Sequence, residues 1–257
     1  MQKIRIDKDG HIAVVTLSNP GKLNAIDISM WHGLADTFRD LSADDSLRCV
    51  IVTGADGNFA AGADIEEFSS VRSNYAQGVD YHTKSIAQAL DAITHCLHPT
   101  VAAIEGVCVG GGLEIASCCD LRIASPASRF GVPINRLGFP LAPGELQGLL
   151  QLVGKAVALE ILLEGRVFDA AEAKEKGLLH RIVDDVQAES RQTAQRISQG
   201  APLAARMNKK LARRLSPPVP PLTEGELRDA FSFFHSDDYR EGVRAFLEKR
   251  KPEFNGH

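Results

Sequence analysis

Between the apolar runs VAAI (101–104) and LRIA (121–124) lies VCVGGGLEIASCCD, and this alternation constrains the chain more than any other stretch. Two strand-length runs joined through a glycine turn and a short helix-length segment predict β, turn, α, β. That order belongs to an α/β fold whose sheet is covered on both faces. Glycine costs about 0.5–1 kcal/mol relative to alanine inside a helix, so Gly110, Gly111 and Gly112 in succession at a helix start need a reason.

The same reading extends in both directions. Residues 4–7 and 12–17 flank Asp9-Gly10 and predict an N-terminal hairpin. After the loop SNPGKLNA, helical spacing over 28–41 precedes CVIVT (49–53), a buried-strand run ended by Gly54. The loop GADGNFAAGADI enters an acidic helix start at Asp64, Glu66 and Glu67, and a longer helix is expected over 75–96, stopped at His98-Pro99. From Pro143 onward the pattern is mostly helical, with one strand candidate at 180–183. The Pro-rich SPPVPP (216–221) reads as a connector to two last helices over 222–235 and 238–251. These patterns divide the chain into a core over 1–200 and a helical segment over 201–257.

Composition excludes several classes. With 257 residues, 44% hydrophobic, 24% charged and a mean hydropathy of -0.10, the chain suits a globular fold, and no run of about 18 apolar residues is read from it. A net charge of -4 argues against nucleic-acid binding, and the basic cluster Lys209, Lys210, Arg213 and Arg214 reads as a solvated helix face. The N-terminus has neither an apolar signal core nor an Arg- and Ser-rich bias, so a cytoplasmic protein away from the membrane is expected. Five cysteines without a CxxC pair suit buried apolar positions in a reducing compartment, and no metal ligand set is predicted.

The glycine turn itself fits neither GxGxxG, since Ile115 stands at the last glycine's place, nor GxxxxGK[ST]. Its remaining use is to present N–H groups at a helix N-terminus to an anion or a developing oxyanion, with Glu114 one turn from the activated group. A second small-residue loop, FAAGADI (59–65), also follows a strand and enters a helix. Two such loops can supply the two convergent donors of an oxyanion hole.

Taken together, FAAGADI, GGGLE followed by CDLRIAS, NPGKLNA, FGVP (130–133) and the ending EGVRAFLEKRKPEF resemble, in order and over the whole chain, the crotonase superfamily of enoyl-CoA hydratases and isomerases. The resemblance implies a ββα spiral core, a C-terminal helical segment that packs between subunits, and a homotrimer or a dimer of trimers. It implies that the N–H groups of Ala63 and Gly111 hold a thioester oxygen and that Glu114 is the acid or base. Ala61, Asp64 and Ile65 would lie along coenzyme A, with Lys22 and Leu23 bordering it and Phe246 and Lys249 reaching it from the last helix. Coenzyme A would enter as part of the acyl-CoA substrate, with no separate cofactor.

One motif departs from the resemblance. Family hydratases carry a second glutamate after the proline of FGxPE, and here FGVPIN places Ile134 there, which cannot transfer a proton. Glu114 could act alone, or Glu145 could substitute, although Glu145 after Pro143-Gly144 also reads as a first-turn helix acid. Asn135 could hold a water but carries no proton at neutral pH. The expected reaction is reversible hydration of a 2-enoyl-CoA. Isomerisation, thioester hydrolysis or decarboxylation are the alternatives, and a non-catalytic CoA-binding protein is a further one.

Overall fold

The computed structural model describes residues 3–216 and 223–254. The expected hairpin is present: β1 (Ile4–Asp9) and β2 (Ile12–Leu17) pair antiparallel about Gly10, whose φ of 56° suits glycine. Helix α1 (Ile28–Ala43) starts at Asp27, whose side chain accepts from the Met30 N–H, and leads to strand β3 (Cys49–Gly54).

Residues 64–96 are more broken than their pattern suggested. A 3-10 turn (Ile65–Glu67) runs into α2 (Phe68–Val71) and α3 (Tyr75–Asp80). A π-helical turn (Tyr81–Ile86) then precedes α4 (Ala87–Thr94). The wider turn shifts the inward face, so that Tyr81, His82, Ser85 and Ile86 are all buried.

Next come β4 (Thr100–Ile104), β5 (Val107–Val109), α5 (Gly111–Cys118), β6 (Leu121–Ala124) and β7 (Arg129–Gly131). The remainder is α6 (Pro143–Glu164), β8 (Phe168–Asp169), α7 (Ala170–Glu175), β9 (Arg181–Ile182), α8 (Val186–Gln199), α9 (Pro202–Leu215), α10 (Glu224–Ala230) and α11 (Asp237–Leu247). Strands β5, β7 and β8 have two or three residues each, too short for any period, and were not legible in the sequence. Most of the Pro-rich stretch 216–221 lies outside the described residues.

The main sheet has the order β1-β2-β3-β4-β6-β9, parallel except for the opening hairpin. Alternate residues of its central strands enter two cores. Val50, Val52, Ala102 and Ile104 pack toward α1 and α4, while Cys49, Ile51, Val101 and Ala103 pack toward Val186 and Ala194 of α8. A second sheet, β5-β7-β8, lies one step further along the chain, since β5 follows β4 and β7 follows β6. Each turn of chain thus adds one strand to each layer, which is the ββα spiral.

Helix α6 corrects the reading that no stretch could span a membrane: it is long and apolar enough by length and composition. Gly154, at φ 73° and ψ 169°, breaks it into two halves of about half the roughly 20 residues a span needs. The chain from α10 onward packs on the core. Phe231, Phe234 and Tyr239 share an aromatic cluster with Phe68 and Phe139.

The tightest joint in this spiral lies under α5. A Cβ added at Gly112 would stand 2.3 Å from the Ala60 carbonyl oxygen, a backbone atom that cannot rotate away. Gly112→Ala is therefore expected to lower stability by about 1–3 kcal/mol. At Gly148, where the nearest atom to an added Cβ is Cys118 Sγ at 3.4 Å, alanine should leave the urea unfolding midpoint almost unmoved.

Candidate active site

The two glycine-containing loops meet because they occupy equivalent places on successive turns of the spiral. Ala60 bridges Cys108 in parallel, with Ala60 N donating to Val107 O at 2.9 Å and Val109 N to Ala60 O at 3.0 Å. The chain then diverges at Gly62 (φ 100°) and at Gly110 (φ 52°), both conformations that side chains resist. A Cβ on Gly111 would lie 3.6 Å from Ala63 N, and one on Gly62 would lie 3.8 Å from Gly111 N, so the two loops are in contact. Neither the Ala63 nor the Gly111 N–H is used in a loop or turn hydrogen bond, and both residues line one cavity. The three glycines thus have three reasons: the turn at Gly110, the approach to the Trp31 ring at Gly111, and the Ala60 carbonyl at Gly112.

The cavity, of about 550 Å³, also takes in Trp31, Phe68, Arg72, Tyr81, His82 and Ile86, with Glu114 and Glu145 on its wall. Glu114 is 7% exposed, and its carboxyl makes no hydrogen bond or ion pair to a described residue. Burial, and then the charge of Glu145, push its ionisation well above the usual carboxylate range. Glu145 is 4% exposed. It occupies the first turn of α6 and accepts from the N-cap backbone, with Oε2 3.4 Å from Ala142 N, while Oε1 stands 2.5 Å from His82 Nδ1. It is therefore both a first-turn helix acid and a member of the cavity. With Nδ1 donating to Glu145, the His82 Nε2 is left as a buried nitrogen without a partner among the described residues.

Ile134, at the position where the family resemblance calls for a second glutamate, lines the same cavity as an apolar wall. Asn135 is spent elsewhere: its Nδ2 donates to Leu163 O at 2.9 Å. The residues expected along coenzyme A gather at the cavity's outer part. Lys22, Ala61, Asp64, Ile65 and Phe246 line it, and Lys22 is held by Asp64 at 2.6 Å and Glu66 at 2.8 Å. Leu23 does not line it. That residue is 52% exposed, at φ 48°, and its carbonyl accepts from Ala61 N at 3.0 Å. The placement of Lys249 on the last helix is corrected: α11 ends at Leu247, and Lys249 follows the cap at φ 55°. The bases that line the cavity there are Arg250 and Lys251, of which Arg250 is already paired with Glu241.

Sequence reasoning missed His82 and Arg72, because nothing in the spacing of either marks a cavity residue. The only signal for Glu145 was its place after Pro143-Gly144.

A ββα spiral in which two glycine-containing loops and a buried carboxyl line one cavity is the arrangement of the crotonase class of proteins. The chain belongs to the enoyl-CoA hydratase/isomerase family, whose pattern it matches over residues 7–257. It is 36% identical to a Mycobacterium bovis protein named probable enoyl-CoA hydratase, over 98% of each chain. Among solved structures it is similar to an enoyl-CoA hydratase/carnithine racemase of Magnetospirillum magneticum, at 46% identity and a TM-score of 0.82, over 100% of this chain and 97% of that one. It also superposes on a methylmalonyl-CoA decarboxylase complexed with 2S-carboxypropyl CoA, at 28% identity and a TM-score of 0.89, over 100% and 99% of the two chains.

The raised ionisation of Glu114 has a sign that can be measured. A carboxyl that holds its proton more tightly folded than unfolded makes the protein lose stability as pH rises from the unfolded value, about 4.3, to the folded one. Glu114→Gln removes that loss. In paired thermal melts the Tm difference in favour of Glu114→Gln should widen from about pH 5 to about pH 8; a constant difference would show that Glu114 ionises as freely folded as unfolded.

Proposed function

We propose that the protein is an enoyl-CoA hydratase, adding water across the 2,3 double bond of a 2-enoyl-CoA, with Glu114 and Glu145 as its two carboxyl groups. The observation that carries this reading is that both buried carboxyls line one cavity with Ala63 and Gly111, and that burial and the charge of Glu145 raise the ionisation of Glu114. Like charges in a dry site oppose double ionisation, so one carboxyl holds a proton while the other accepts one. Glu145, on α6, would thereby supply the carboxyl absent at position 134.

In this reading the thioester oxygen accepts from the Ala63 and Gly111 N–H groups, which oppose the charge that develops there at about a hundredfold or more in rate per donor. Glu145, its Oε1 fixed by His82, takes a proton from water as the oxygen attacks C3. Electrons of the double bond move onto the thioester oxygen, and Glu114 delivers its proton to C2. A proton passing from Glu145 to Glu114 restores the starting state, and water is the net addition. Coenzyme A enters as part of the substrate, along Lys22, Ala61, Asp64, Ile65 and Phe246, with Leu23 outside the cavity and joined to Ala61 through its carbonyl. Its phosphates meet the basic segment Lys249 to Lys251, and to reach a phosphate Lys22 must exchange its carboxylate partners. The five free cysteines suit a reducing, cytoplasmic setting.

The apolar residue at 134 and the likeness to the decarboxylase favour one other reading: loss of CO2 from a 2-carboxyacyl-CoA. The same donors would hold the enolate, and Glu114 would protonate it. Assays of crotonyl-CoA hydration beside CO2 release from methylmalonyl-CoA separate the two.

A homotrimer or dimer of trimers forms part of the proposal. Leu203, Met207, Leu211 and Leu215 recur every four residues along α9 and are 45–78% exposed, an apolar stripe suited to a second copy of the chain. Sedimentation equilibrium is expected to give the mass of three or six chains, and a stable monomer at micromolar concentration would overturn this part.

For the chemistry, Glu114→Gln should lower kcat on crotonyl-CoA by about two to four decades. Glu145→Gln should cost a comparable factor, with the double variant little worse than either single one, as for groups that act as a unit. Full turnover in Glu145→Gln would leave Glu114 as the sole acid and base, and full turnover in Glu114→Gln would remove the reading altogether.

A further inference from the structure

Arg72 is the most unusual charge in the molecule. It is 1% exposed and lines the same cavity as Glu114 and Glu145, yet it forms no ion pair among the described residues. Among the described residues its side chain makes one hydrogen bond, from Nε to Tyr239 Oη at 3.1 Å, and Nη2 is buried with no partner there. A guanidinium has five N–H donors, so those of Nη1 and Nη2 are left without an acceptor among the described residues.

Aromatic rings account for only part of this. The guanidinium carbon lies 4.2 Å from the Phe68 centroid and 4.3 Å from that of Phe139, with Phe234 and Tyr239 both at 5.2 Å. Such contacts solvate the flat faces of the cation and give the in-plane N–H groups no acceptor. A cation–π contact also recovers only a fraction of the cost of burying an unpaired charge. What the arrangement lacks is a planar, bidentate anion, the partner that a guanidinium fork matches best.

From this we infer that the acyl group of the substrate carries a second carboxylate, which enters the cavity and pairs with Arg72. The inference rests on the reading of the cavity as an acyl-CoA site and names its substrate class: CoA thioesters of dicarboxylic acids. The carboxylate is one that the reaction retains, because pairing with a guanidinium stabilises it against loss as CO2. Phe68, Tyr81 and Phe139 surround the methylene chain between the two carbonyl carbons. Arg72 is a specificity-determining residue, and Tyr239 on α11 orients it through Nε.

Binding without turnover tests this independently of the reaction. The full chain is titrated calorimetrically with glutaryl-CoA and valeryl-CoA, two saturated five-carbon thioesters that differ in the terminal carboxylate. Glutaryl-CoA should bind tenfold or more tightly, as for a buried charge-assisted pair. In Arg72→Met, which keeps the volume, the ratio of the two Kd values should fall to within about twofold of unity, and Arg72→Lys should restore part of it. Equal affinities in the wild-type protein, or a ratio unchanged in Arg72→Met, would overturn the inference and leave Arg72 as a packing residue. Tight binding of both thioesters without preference would still support the acyl-CoA site, whereas failure to bind either would overturn that reading as well.

Discussion

The parallel pairing of Ala60 with Cys108 is the contact on which the site depends. Each strand layer of the spiral repeats at a fixed step, so pairing at this point sets the loop after Ala60 beside the loop after Val109. The donors of an oxyanion hole must point at one atom, and the loops that carry the Ala63 and Gly111 N–H groups are held side by side by strand pairing. Glycine is required at the joint because the approach of Gly112 to the Ala60 carbonyl leaves no room for a side chain. The same register brings Gly131, whose carbonyl accepts from Gly110 N at 2.9 Å, so that the FGVP loop borders the cavity as a third turn.

Around that joint the protein buries two carboxyl groups. Glu114 comes from the first turn of α5, where the helix N-terminus faces it, and Glu145 from the first turn of α6. The two do not have the same surroundings. Glu114 stands among apolar groups without a hydrogen-bond partner, while Glu145 is anchored by His82 and by the Ala142 N–H. The two carboxyls thus differ in their contacts although they line one cavity. Ile134 lines the same cavity from the turn before α6.

The chain beyond residue 222 is part of the cavity wall. Phe231, Phe234 and Tyr239 pack against Phe68 and Phe139, while Phe246, Arg250 and Lys251 reach its outer rim. Gly78 must be glycine-sized because Phe234 lies over it, at 1.9 Å from a built Cβ, and Gly138 and Gly242 bring the loop before α6 against α11. This part of the cavity is therefore assembled from sequence regions more than 150 residues apart, as the hydrogen bond from Arg72 to Tyr239 shows.

Much of the spiral was written in the sequence, for a physical reason: buried parallel strands demand continuous apolar runs, and glycine is required where backbones touch. VAAI, CVIVT, GGGLE and FAAGADI therefore announced their strands, turns and donor loops, and Glu114 announced itself as a carboxylate at an apolar helix start. Strands β5, β7 and β8 were illegible because two or three residues carry no period. The partners of a side chain across the fold leave no trace in spacing. Nothing around His82 foretells Glu145, 63 residues on, and nothing around Arg72 foretells an aromatic cage built from three separate segments. The sequence by itself determined the backbone frame and the first carboxyl, because local periodicity and steric need suffice for those. Only the tertiary structure decided that a second carboxyl and an unpaired guanidinium share the same cavity, because burial and charge pairing are properties of the packed chain.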